Sequence, residues 1–121
     1  MTELENVKKI AGFLDAKKAH DIIALDLGGA TIIAEYFVIC SAGSSVQMKA
    51  LYDAVCEGMA KEGCPPERVE GLRNDGWMVV DFGGVMLHIF SRQMRDFYGL
   101  ENLWADAQKV NLDSILRKDM M

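Results

Sequence analysis

The sequence has little of what catalytic and metal-binding domains are usually built from. Its 121 residues include only three cysteines and two histidines. Cys40, Cys56 and Cys64 form no C-x-x-C pair and are odd in number, so neither a disulfide framework nor a zinc site is encoded, and a reducing cytoplasmic compartment is expected. The two prolines are adjacent, Pro65 and Pro66, so no proline-rich linker divides the chain. No run of about 18 apolar residues is available to span a bilayer. The opening Met-Thr-Glu-Leu-Glu lacks the cationic and apolar pattern of a secretory signal and the Arg-rich pattern of a transit peptide. Cations are in deficit: 13 Lys and Arg against 18 Asp and Glu leave a net charge of −5. That balance argues against a phosphate-tracking surface, and so against direct nucleic-acid binding as the main function.

What is present suffices for one folded domain. Half of the residues are apolar and 26% are charged, the balance of an ordinary globular chain. The length fits a single core and excludes a multidomain enzyme. Leu4, Val7, Ala11 and Leu14 recur on one helical stripe, which predicts an amphipathic helix over residues 3–18. The apolar run from Asp21 to Leu27, stopped by Gly28-Gly29, predicts a strand buried on both faces, and residues 31–40 predict a second. Ser44 and Gln47 have capping-box spacing ahead of a helix over residues 45–62, which Gly63 and the two prolines close. Gly83-Gly84 sits between Trp77–Phe82 and Val85–Phe90 as the turn of a β-hairpin. Pairing across that turn puts Met78, Val80, Phe82, Val85, Leu87 and Ile89 on one face, directed at the helices. The opposite face carries Trp77, Val79, Asp81, Met86, His88 and Phe90, a mixture suited to a partner. Ser91 caps a short helix ending at Gly99. Beyond Asp106 the few apolar residues predict a weak terminal helix or a loosely docked tail. Together these elements predict a single α/β domain, with a small mixed β-sheet and flanking helices.

Chemistry is sparse. A nucleophilic triad needs a Ser or Cys beside a His held by a carboxylate. Ser44 is better explained as a helix cap, His20 as a junction residue, and His88 as a strand residue bonded to a neighbour. No metal-ligand spacing such as H-x-x-x-H occurs. Cys40 and Cys56 read as small buried hydrophobes, and Cys64 as a loop residue open to redox chemistry. Lys8-Lys9 and Lys17-Lys18 read as a solvated helix face. The Gly43-Ser44 turn follows a strand and opens a helix, a position that favours phosphate. It has no P-loop lysine and no downstream carboxylate pair to hold magnesium, so a nucleotidyltransferase-like nucleotide-binding protein is the second reading. The aromatics are concentrated late: Trp77, Phe82, Phe90, Phe97, Tyr98 and Trp104, with Arg92 and Arg95 among them. Trp, Tyr and Arg dominate interface hot spots. Phe82 and Trp104 are assigned to the core.

The runs Gly76-Trp77-Met78-Val79-Val80-Asp81-Phe82-Gly83, Val85-Met86-Leu87-His88-Ile89-Phe90, Arg95-Asp96-Phe97-Tyr98 and Leu100-Glu101-Asn102-Leu103-Trp104 closely resemble the Iojap-like ribosomal silencing factor family, RsfS in bacteria. Asp26, Glu35-Tyr36-Phe37-Val38-Ile39 and Ser45-Val46-Gln47 fit the same pattern, over residues 4–107. Glu35 stands where the family usually has Asp, and Gly84 where an acidic residue is common. The resemblance implies a homodimeric α/β protein with a nucleotidyltransferase-like layout, no cofactor and no enzymatic activity. It also implies binding to the large ribosomal subunit, through the ribosomal protein of the L-fourteen family, so that the small subunit cannot join. Related organelle proteins assist large-subunit assembly. On that reading Trp77 and Phe90 are apolar anchors, Asp81 meets a partner cation, His88 lies between them, and Arg95 and Tyr98 bond at the rim. Loss of Trp77 should then weaken binding and leave the fold intact. Residues 1–107 form the silencing-factor domain and 108–121 a C-terminal tail.

Overall fold

The computed structural model describes residues 2–71 and 76–116. Helix α1 spans Glu3–Ala16 and opens with a reciprocal capping box. The Thr2 hydroxyl accepts the Glu5 N–H at 3.2 Å, and the Glu5 carboxylate accepts the Thr2 N–H at 2.9 Å. Strand β1 (His20–Asp26) pairs antiparallel with β2 (Tyr36–Ala42). The second strand starts five residues later than its composition predicts. Residues 31–35 form a loop in which the Ile33 N–H bonds back to the Thr31 hydroxyl, and its last residue, Glu35, accepts the Leu27 N–H and donates to the Gly84 carbonyl.

Helix α2 (Ser45–Lys61) carries its expected N-cap: the Gln47 N–H donates to the Ser44 hydroxyl at 3.0 Å. The return half of the box is shifted by one residue, since the Gln47 side chain accepts the Gly43 N–H at 2.6 Å. Strand β3 (Arg68–Glu70) adds an edge to the hairpin β4 (Trp77–Asp81) and β5 (Val85–Ser91). The hairpin register is the expected one, from Trp77 opposite Phe90 to Asp81 opposite Met86. Helix α3 (Arg92–Tyr98) and the single turn α4 (Leu100–Leu103) follow, joined at Gly99 in the left-handed region. Strand β6 (Gln108–Lys109) pairs with Leu25 and Asp26.

The six strands lie in the order β3-β4-β5-β2-β1-β6. Only β2 and β5 run parallel; every other pair is antiparallel. One sheet face meets α1 and α2. There Val7, Ile10 and Leu14 of α1 and Leu51, Val55 and Met59 of α2 pack onto Val38, Cys40, Val80, Leu87 and Ile89. Each of these side chains is essentially removed from water, and burying one contributes about 1.5–3 kcal/mol before conformational entropy is counted. Phe82 is in this core as expected. The second face holds Leu25, Leu27, Phe37, Ile39 and Phe90, with Met94, Leu100 and Trp104 packed over them. The central strands are therefore covered on both sides. The expected terminal helix or loose tail is replaced by a docked segment: β6 extends the sheet, and Leu112 is 5% exposed in the main core. Residues 117–121 of that segment lie outside the described residues.

Candidate functional site

The site is built where α3 folds back over the second sheet face. Side chains alternate along a strand, so the pairing that sends Met78 and Val80 to the main core sends Trp77, Val79 and Asp81 outward. Trp77 lies across Phe90, with ring centroids 5.1 Å apart. Tyr98 closes on Trp77 at 4.5 Å and Phe97 on Tyr98 at 5.1 Å. The indole N–H of Trp77 donates to Nδ1 of His88 at 3.1 Å. Beneath them Phe37 meets His88 edge-on at 4.5 Å and Trp104 at 5.9 Å. The result is one continuous aromatic cluster reaching from the sheet interior to water.

Exposure divides the six residues expected to touch a partner. Tyr98 is 45% exposed and its neighbour Phe97 is 74% exposed, while Trp77 and Asp81 are half-buried. The other three are corrections to the expectation of an open face. Phe90 is fully buried, because Trp77 covers it and Tyr98 lies beyond. His88 is 4% exposed, and burial pushes its pKa down to about 4, so the ring is neutral at physiological pH. It accepts from Trp77 through Nδ1, which leaves the proton on Nε2, a buried atom with no hydrogen-bond partner among the described residues. Arg95 is a buried clamp and not a rim residue. Its guanidinium donates to the Asp21 carbonyl at 2.7 Å, to the Ser41 hydroxyl at 2.9 Å, and to both oxygens of Glu101 at 2.9 and 3.2 Å.

Asp81 is also partly committed. One oxygen accepts the Gly83 N–H at 2.9 Å, and the other lies 3.9 Å from Arg68. Trp104 is half-buried over Phe37 in the second cluster and not in the main core. The signal that α3 and α4 would cover the outer face was the apolar series Met94, Leu100 and Trp104, which has no simple helical period because Gly99 interrupts it.

The turn that suggested nucleotide binding is occupied by the protein's own side chains. Gly43 N–H goes to the Gln47 amide and Gln47 N–H to Ser44, so two donors that would cradle a phosphate are already bonded. Among the described residues no group of three or more His, Cys, Asp or Glu could hold a metal ion. Burial pushes the Cys40 thiol up to about 12 and the Cys56 thiol up to about 11, which keeps both protonated and unreactive. Cys64 is half-buried, accepting from Asn6 Nδ2 at 3.7 Å and donating to the Phe82 carbonyl at 3.6 Å. No helix among the described residues is long and apolar enough to cross a membrane.

A family model described as "Ribosomal silencing factor during starvation" matches residues 1–120. The chain belongs to the RsfS family. Its similarity to curated relatives includes Ribosomal silencing factor RsfS of Bacillus subtilis, 35% identical over 113 residues, covering 93% of this chain and 96% of that one. Among solved structures, a crystal structure of a Chromobacterium violaceum protein superposes with a TM-score of 0.84 at 31% identity, covering 92% of each chain. One from Bacillus halodurans gives 0.74 at 31% identity, covering 91% of this chain and 98% of that one. RsfS membership assigns the chain to ribosome silencing.

Proposed function

We propose that the chain silences translation by occupying the large ribosomal subunit at its L-fourteen-family protein, where it sterically blocks the small subunit. The single observation that carries this reading is the graded aromatic cluster. Trp77 and Tyr98 present ring surface to water above a base of Phe90, His88 and Phe37 that cannot yield. Rigid aromatic anchors with polar tips are what interface hot spots are made of. Phe90, His88 and Arg95 belong to the binding site as its support, and Trp77, Tyr98 and Asp81 as its surface. An acidic chain with a net charge of −5 suits a basic ribosomal protein and is repelled by bare RNA. The exposed Phe97 offers apolar surface that a second copy covers when the protein is free in the cytoplasm, giving a homodimer.

The decisive experiment is co-sedimentation with separated ribosomal subunits, titrated to saturation. Stoichiometric binding to large subunits alone is expected; binding to neither, or to small subunits, overturns the reading. Tyr98→Ala tests the surface itself. Tyr98 is 45% exposed and its ring forms the outermost layer over Trp77, so binding should weaken by about 1–2 kcal/mol with a smaller loss of stability. Trp77→Ala is a poorer probe than the sequence suggests, because it also strips the cover from Phe90 and the donor from His88.

A further inference from the structure

A second recognition feature lies at the opposite corner of the outer face. Trp77 pairs with Phe90, and Phe90 with Ser41, at one end of the sheet. Asp26 pairs with Tyr36, and Tyr36 with Val85, at the other. At that far end, between the Leu27–Ala30 turn and the segment after α4, is an open groove of about 450 Å³. Its apolar wall is Leu27, Leu103 and Trp104, and its polar margin is Asp26 and Asp106. Leu103 is 76% exposed, and two residues beyond Ala30 the loop carries Ile32 and Ile33 at 103% and 59% exposure. The groove thus sets an exposed leucine and the Trp104 ring beside two carboxylates, with further apolar side chains exposed in the neighbouring loop.

We infer that this groove is a second docking point, and that it takes an apolar side chain flanked by a lysine or arginine on a ribosomal protein. The inference rests on the large-subunit reading above. Charge selects the occupant. Asp26 and Asp106 would repel RNA phosphate, whereas a cation beside an apolar anchor satisfies wall and margin together. Two separated anchors also fix the orientation of a small factor on its partner, which one aromatic patch does not. With both engaged, the second contact is intramolecular in effect, so losing either weakens binding by much more than its own area suggests.

The test measures the affinity of the labelled full chain for purified large subunits at low and moderate salt, with circular dichroism melts as a check on folding. Leu103→Asp and Asp106→Lys alter exposed side chains and should leave the fold unchanged. Each should weaken binding tenfold or more, and the effect of Asp106→Lys should shrink as salt rises. Val46→Asp, 79% exposed on α2 at the other side of the sheet, is the control and should bind normally. Wild-type binding with both groove variants unaffected overturns this inference alone. Tighter binding by Asp106→Lys identifies an RNA occupant, and a wild-type dimer that Leu103→Asp dissociates, with subunit affinity preserved, identifies a second copy; either overturns it. Failure of the wild-type chain to bind large subunits at all removes the functional reading, and the inference with it.

Discussion

Arg95 joins pieces of the chain that are distant in sequence: its guanidinium holds the Asp21 carbonyl, the Ser41 hydroxyl and the Glu101 carboxylate at once. The planar fork makes four bonds from three nitrogens, two of them to one carboxylate, where an ammonium has three donors on a single atom. Arg95→Ala therefore leaves a half-buried carboxylate and two polar groups unpaired, and should cost about 2–4 kcal/mol, with Arg95→Lys recovering only part. Urea unfolding checks this; a change below about 0.5 kcal/mol would contradict the clamp. His88 sets a pH response. The unfolded ring takes a proton near its ordinary 6.5, but the folded ring only near about 4, because burial disfavours the charge. Above pH 7 both states are neutral and His88 contributes nothing. As pH falls through 6.5 only the unfolded state gains the proton, so stability drops, levelling off below about 4 after a loss of about 3 kcal/mol. His88→Gln should flatten that part of the stability curve relative to wild type. At this scale the sequence located the cluster but not its depth. Trp77 and Tyr98 were legible as surface aromatics, whereas the burial of Phe90, His88 and Arg95 depends on where α3 lands, which no local pattern encodes.

The two strands that local patterning missed, β3 and β6, are three and two residues long and polar. They form by pairing to edges already present and carry little periodic signal of their own. The late start of β2 has a similar cause. Thr31, Ile32 and Ile33 have strand-forming composition, but Gly28 and Gly29, both at positive φ, open a loop too wide for pairing to begin before Tyr36. The helices and the central hairpin were legible because caps, a glycine turn and alternating apolar residues all agreed. Gly71 shows how closely the edge is built. It sits at φ +87°, and a Cβ there would come 2.2 Å from the Trp77 carbonyl oxygen. Gly71→Ala combines backbone strain with a clash against main chain, and should destabilise by about 2–4 kcal/mol. It should also disturb the start of β4, where Trp77 is placed. A thermal melt with indole fluorescence reads both effects, and an unchanged melt would mean that the β3 edge contributes nothing to holding Trp77.

For the whole molecule, the α/β class and mixed sheet followed from the order of elements, while the parallel pairing of β2 with β5 did not. Those strands are separated by α2, β3 and β4, and their adjacency is a long-range consequence of covering both sheet faces. That arrangement gives a rigid body with one face sealed by α1 and α2 and the other ending in aromatics. If silencing is occupancy of the surface where the small subunit must sit, inhibition is competitive. The fraction of large subunits blocked then depends on factor concentration relative to its dissociation constant, scaled by the small subunits competing for the same state. In a light-scattering assay of subunit joining, raising the small-subunit concentration should therefore raise the half-inhibitory concentration in proportion. Added to ribosomes already joined, the chain should act only as fast as they dissociate. A half-inhibitory concentration independent of small subunits would place the block on a conformational change of the large subunit. Immediate splitting of joined ribosomes would mean that the chain binds a surface the small subunit leaves open. Either result would replace steric occupancy as the mechanism, even with large-subunit binding intact.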